Sequence, residues 1–84
     1  MAALKDRNSD VRLAAMEALV KLGGASVALL VTALMDQDSV VRRSAAEVLG
    51  KIKDARAMEP LLTRLTDQSF DVRRYAVRAL EAMG

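Results

Sequence analysis

Cysteine, histidine and tryptophan are absent from the 84 residues, and phenylalanine, tyrosine and proline occur once each, at Phe70, Tyr75 and Pro60. Without cysteine there is no disulfide staple and no thiolate ligand, which leans toward a reducing, cytoplasmic setting. Without histidine as well, neither a zinc site of the usual Cys/His kind nor a Ser–His or Cys–His catalytic pair can be assembled. Long apolar runs are missing too. The longest uncharged run, Leu22 to Met35, is fourteen residues, short of the roughly twenty needed to span a bilayer. The first residues, Met-Ala-Ala-Leu-Lys-Asp, lack the n-region and h-region of a signal peptide. These absences describe a soluble, non-exported chain with no cofactor or metal implied.

Charge is balanced. Thirteen Lys and Arg face eleven Asp and Glu, a net charge of +2 with the signs interleaved. A pI near 9.4 therefore rests on two surplus cations, and does not mark a nucleic-acid binder by itself. The length allows one domain, residues 1–84, burying only about 60–65% of its unfolded surface. Its 52% hydrophobic content is mostly Ala, Leu and Val, which suits helices.

What is present is a repeat. Asp6, Asp36 and Asp67 recur at intervals of 30 and 31, and Val11, Val41 and Val72 keep those intervals. So do Arg12, Arg42 and Arg73, then Ala15, Ala45 and Ala76, then Leu19, Leu49 and Leu80, then Leu22, Ile52 and Met83. Six aligned columns over three copies are not a chance pattern. The single-residue gap falls between Gly23 and Val27, where a turn absorbs it.

Each copy reads as two helices. Val41, Ala45, Leu49 and Ile52 stand at i, i+4, i+8 and i+11, one face of a 3.6-residue period. Asn8, Asp38 and Ser69 share the column just ahead of each run and are good N-caps. The second helix of each copy (B) is expected at 9–22, 39–52 and 70–83. The first helices (A) are expected at about 26–35 and 55–65, with Leu30 and Leu34 matching Leu61 and Leu65. Pro60 falls inside the last of these and is expected to kink or restart it near its first turns.

These residues carry a family resemblance. Leu65-Thr66-Asp67, Asp71-Val72-Arg73-Arg74-x-Ala76 and Ala45-Ala46-Glu47-Val48-Leu49-Gly50-Lys51-Ile52 resemble HEAT repeats. The short subtype first recognised in phycobilisome lyases is the most similar, and Arg56 to Leu62 resembles its A helix. The resemblance implies an all-α solenoid of about two and a half repeats and five main helices. Its units are a partial repeat at 1–23 and repeats at 24–53 and 54–84. It says little about function, because the same repeat serves lyases, scaffolds and repair proteins.

In HEAT repeats the recurrent Asp lies in the A–B turn, and the Arg reaches that turn or the next. The pairs Asp6/Arg12, Asp36/Arg42 and Asp67/Arg73 are accordingly expected to form a structural ladder, not a row of acid–base sites. The resemblance also places the B helices on the concave face. Their outward stripes read Leu13-Glu17-Lys21, Arg43-Glu47-Lys51 and Arg74-Arg78-Ala82, with Tyr75 where the other copies have Ala14 and Ser44. Arg43, Glu47, Arg74, Tyr75 and Arg78 are the candidate partner-binding residues, for an acidic protein segment or, as an alternative, nucleic-acid phosphate. A plain solvated end helix accounts for the same residues.

A repeat stack normally needs three or more units with polar ends. Leu13, Met16 and Val20 at one end, and Phe70, Val77 and Met83 at the other, have no evident cover, and form the candidate self-association surface. A homodimer, with helix exchange as an option, is the expected state. Glu17 and Glu47 share a column, but each has a Lys four residues on, so catalysis is not expected. The reading is a non-catalytic protein-interaction or scaffold module. A subunit accessory to a phycobilin-lyase-like enzyme is a further alternative.

Overall fold

Three side chains start the three long helices. Asn8 and Asp38 each accept a backbone N–H two residues on, from Asp10 and Val40, at 2.8 Å. Ser69 accepts the N–H of Val72 at 3.4 Å. Each such cap satisfies an otherwise orphaned donor and contributes about 1 kcal/mol. The helices that follow are α1 (Ser9–Leu22), α3 (Ser39–Ile52) and α5 (Phe70–Met83), each 14 residues long. They cover the spans set out by the apolar period and the cap column. The computed structural model describes residues 2–84; Met1, the first residue of the expected partial repeat 1–23, lies outside the described residues.

Gly23 and Lys53, which share a column, end α1 and α3 with positive φ values of 56° and 61°. Their amides bond back to the Leu19 and Leu49 carbonyls. Gly23 adopts this geometry without a Cβ penalty, whereas Lys53 carries a cost of about 1 kcal/mol. The break at Gly23 also settles how the apolar stretch Ser9–Ala33 is built. A window within it has a mean hydropathy of 1.6, enough by length and composition to pass for a membrane span. It is two helices of 14 and 7 residues, and neither reaches the roughly twenty that cross a bilayer.

The A helices are shorter than expected. Their α-helical cores are α2 (Val27–Ala33) and α4 (Met58–Thr63), flanked by tighter 3-10 turns at Gly23–Ser26, Ala55–Ala57 and Arg64–Thr66. The reason is local: neither α2 nor α4 has a side-chain N-cap, and uncapped short helices tighten at their ends. Pro60 is the third residue of α4, where its missing N–H would have had no intrahelical partner anyway. The helix restarts at Met58 and does not kink.

The chain forms two layers. α1, α3 and α5 lie side by side with α3 in the middle, while α2, α4 and the turn Ala2–Lys5 back them. Leu4, Leu30, Leu34 and Leu61 point inward from the A layer, against Val41, Leu49 and Val72, and all are at most 1% exposed. Leu4 thus fills an A-helix position although only one 3-10 turn precedes α1. The radius of gyration is 11.3 Å, close to the roughly 12 Å of a compact domain of this size. At this length the solenoid is a globule.

The seam between α3 and α5 is the closest in the molecule. A Cβ on Gly50 would stand 2.9 Å from the Ala79 Cα and 3.1 Å from its Cβ. Only a glycine on one helix and an alanine on the other let the two backbones meet at this distance. In the matching column α1 has Val20, and α1 contacts α3 over a smaller area.

Candidate interaction surface

The joint between the second and third repeats centres on Asp67. Its carboxylate accepts from Arg42 Nε at 2.9 Å and Arg42 Nη2 at 3.1 Å. It also accepts from Arg64 at 3.2 Å and from the Ser69 amide at 2.9 Å. The Asp67 side chain is only 2% exposed. Burial raises its pKa, but Arg42, the Ser69 N–H and Arg64 together outweigh that and hold it below the ordinary carboxylate value.

The three Asp–Arg pairs do not meet as carboxylate and guanidinium within a repeat. Arg12, Arg42 and Arg73 instead donate to the main-chain carbonyls of Asp6, Asp36 and Asp67. The carboxylates turn the other way and accept the N–H two residues ahead, from Asn8, Asp38 and Ser69. Across repeats, Arg42 alone of the three reaches the next Asp among the described residues. Asp36 is met by Lys5 at 3.5 Å, not by Arg12. Its pKa is lowered, chiefly by the Asp38 N–H and then by Lys5.

The B-helix face carries two shallow grooves that share Glu47 and Lys51. One, of about 260 Å³, lies between α1 and α3 and is lined by Leu13, Met16, Glu17, Val20 and Lys21. The other, of about 290 Å³, lies between α3 and α5, with Ala46, Gly50 and Ala79 as floor and Tyr75 and Arg78 as wall. Tyr75 is flanked by two cations, Arg43 at 6.0 Å and Arg78 at 5.4 Å from its ring centre. Two guanidinium groups within about 6 Å of one ring centre are each attracted to its π-system, and their N–H groups can also meet an anion.

Of the candidate partner-binding residues, Glu47, Tyr75 and Arg78 thus border one groove and Arg43 stands over the same ring. Arg74 does not join them. It lies on the outer flank of α5 with Phe70, Arg73 and Val77, a flank that Arg78 borders as well. Glu47 is paired to Lys51 at 3.8 Å. Of the candidate self-association residues, Leu13, Phe70 and Val77 are 53%, 65% and 44% exposed. Met16 is a correction: it is 7% exposed and belongs to the core, because α1 rolls it inward against α3. Val20 and Met83 are half-buried against that core.

One clamp escaped the sequence pattern. Arg56 donates to the Asp54 carboxylate at 2.8 and 3.0 Å and to the Gly24 carbonyl at 3.0 Å, tying the start of the third repeat to the start of the second. Arg56 drives the Asp54 pKa down to about 2. The matching column one repeat earlier holds Gly24 and Ser26, so self-alignment has nothing to flag there. Asp36, Asp54 and Asp67 all shift toward staying ionised, the opposite of what a general acid needs. No cluster able to hold a metal ion occurs among the described residues.

Comparison with known proteins adds two findings. The HEAT-repeat family profile matches residues 1–81. The bilin biosynthesis protein MpeU of Synechococcus sp. (strain WH8020) is 36% identical over 87 aligned positions, covering 96% of this chain and 29% of that protein. The chain therefore spans less than a third of the length of this relative.

Proposed function

The chain belongs to the HEAT-repeat family, and from that premise we propose that it is a non-catalytic binding module taking an acidic, partly apolar protein segment along its B-helix face. The observation that carries this reading is the Tyr75 ring with Arg43 and Arg78 at 6.0 and 5.4 Å from its centre, at the edge of the α3–α5 groove. An apolar floor beside paired guanidinium groups matches a segment that alternates carboxylates with apolar side chains. Glu47 and Lys51 on the groove's far side set the register by repelling one charge and attracting the other.

The test is a titration of a fluorescein-labelled peptide of alternating Glu and Leu, followed by anisotropy. Binding is expected to weaken at least tenfold for Tyr75→Ala and for Arg78→Glu, a loss of about 1.4 kcal/mol each. Arg74→Glu, on the outer flank, is expected to change affinity less than threefold. A duplex DNA that binds more tightly than the peptide, with the same variant profile, would move the assignment to the polyanion reading. The relative's name supports a second reading, in which the same face docks on a bilin-handling protein as an accessory unit. That reading predicts capture of such a protein through Tyr75 and Arg78, and fails if the double variant captures it equally well.

A further inference from the structure

The outward faces of α1 and α5 match the two halves of a joint already present between α3 and α5. Where α3 meets α5, Arg42 crosses to Asp67 with two hydrogen bonds of 2.9 and 3.1 Å. One repeat on, the column of Arg42 holds Arg73 on the outer flank of α5. Two repeats back, the column of Asp67 holds Asp6, ahead of α1. Arg73 bonds only to the carbonyl of its own turn and lies over the Phe70 ring at 5.8 Å. The Asp6 carboxylate accepts only the Asn8 amide among the described residues.

The apolar parts correspond in the same way. Ala46, fully buried in the interior joint, has Val77 in its column on α5, 44% exposed beside Phe70 at 65%. Tyr75 and Ala79, which cover α3 in the interior, have Ala14 and Ala18 in their columns on α1, both exposed. Val11, the counterpart of fully buried Val72, is 39% exposed. Ala14 and Ala18 thus face outward on α1, and Phe70 and Val77 on α5, with Arg73 and Asp6 making no ion pair among the described residues.

We propose that copies of this chain stack head to tail, the outer flank of α5 on one copy seating against α1 of the next, with Arg73 reaching Asp6 as Arg42 reaches Asp67. The contact is heterologous, so each added copy leaves one free face and the assembly grows by single copies instead of closing as a pair. Glu81 stands in the column of Gly50, which keeps α5 and α1 further apart than α3 and α5. The intermolecular joint is accordingly weaker than the interior one and its extent depends on concentration. Arg78 borders both this flank and the Tyr75 groove, but Arg73, Asp6 and Val77 lie outside the groove, so variants at those three test stacking separately from the peptide-binding reading.

Sedimentation velocity between about 10 µM and 1 mM, a range bracketing weak association, tests this. The weight-average mass of the wild-type chain is expected to rise steadily past that of a dimer. Asp6→Arg and Arg73→Asp should each weaken the step at least tenfold, because each places like charges across the joint. An equimolar mixture of the two variants should regain association, since the intact Arg73 of one then meets the intact Asp6 of the other. Val77→Asp, a change at an exposed position, should abolish stacking while leaving the helical circular dichroism unchanged. A wild-type chain that stays monomeric, one that stops at a dimer, or a mixture that fails to recover would each overturn the proposal.

Discussion

Arg42→Ala is expected to lower the unfolding free energy by about 3 kcal/mol, against under about 1 kcal/mol for Arg43→Ala. Arg42 makes two hydrogen bonds to the Asp67 carboxylate and two more to the Asp36 and Gln37 carbonyls. Removing it leaves a carboxylate that is 2% exposed with Arg64 as its remaining cation. A buried charge stripped of its main partner costs far more than the pair contributed as a pair, which is why the penalty is large. Arg43 is held by little besides its place over the Tyr75 ring at 6.0 Å. Thermal melts separate the two: a loss of about 3 kcal/mol in a domain this small moves the midpoint by about 12–24 °C. Equal midpoints for the two variants would remove Arg42 from its structural role.

The same pair sets the acid limb of stability. The folded Asp67 pKa lies below its unfolded value, so its contribution is complete above the unfolded pKa of about 4 and is lost as pH falls through the folded value. Wild-type stability is therefore expected to decline below about pH 4, and the decline should be shallower in Arg42→Ala.

Gly50→Ala is the second large effect, and its sign runs against helix propensity. Alanine is better than glycine inside a helix by about 1 kcal/mol. Here the new methyl would lie 2.9 Å from the main-chain Cα of Ala79, and main chain cannot rotate away as a side chain can. Relieving the contact pushes α5 off α3 and opens the core behind Ala45 and Leu49, at an overpacking cost of about 1–3 kcal/mol. The net expectation from chemical denaturation is a loss of up to about 2 kcal/mol. Adding Ala79→Gly should recover only part, because the nearest atom is backbone. Gly24→Ala is the comparison: its Cβ would meet the exposed tip of Arg56 at 3.3 Å, which can move, so stability should change by less than about 0.5 kcal/mol. A stabilised Gly50→Ala would mean that the seam is looser than described.

The sequence exposes what repeats and hides what does not. The long helices were legible to the residue because cap, apolar face and C-terminal column recur in three copies. The turn that each Arg reaches, its own or the next, was legible as a column, but which atoms it meets there was not. A six-residue spacing suggests a side-chain pair, while a helix start presents carbonyls at the same distance and leaves the carboxylate to its own Asx turn. The Asp54–Arg56 clamp exists in one copy only, so no column marks it. Met16 was misjudged because a single heptad-like stripe does not say how far α1 rolls toward α3. At the groove, the substitution of Tyr75 into a column of small residues was visible. Its approach to both Arg43 and Arg78 depends on the closeness of α3 and α5, which rests on Gly50.

The binding reading is tested most directly by following backbone amide shifts of the isotope-labelled chain as the alternating Glu-Leu peptide is added. The account predicts that the largest shifts fall on Glu47, Gly50, Lys51, Tyr75 and Arg78, the residues bordering the α3–α5 groove. Shifts centred instead on α2 and α4, or none at saturating peptide, would contradict it.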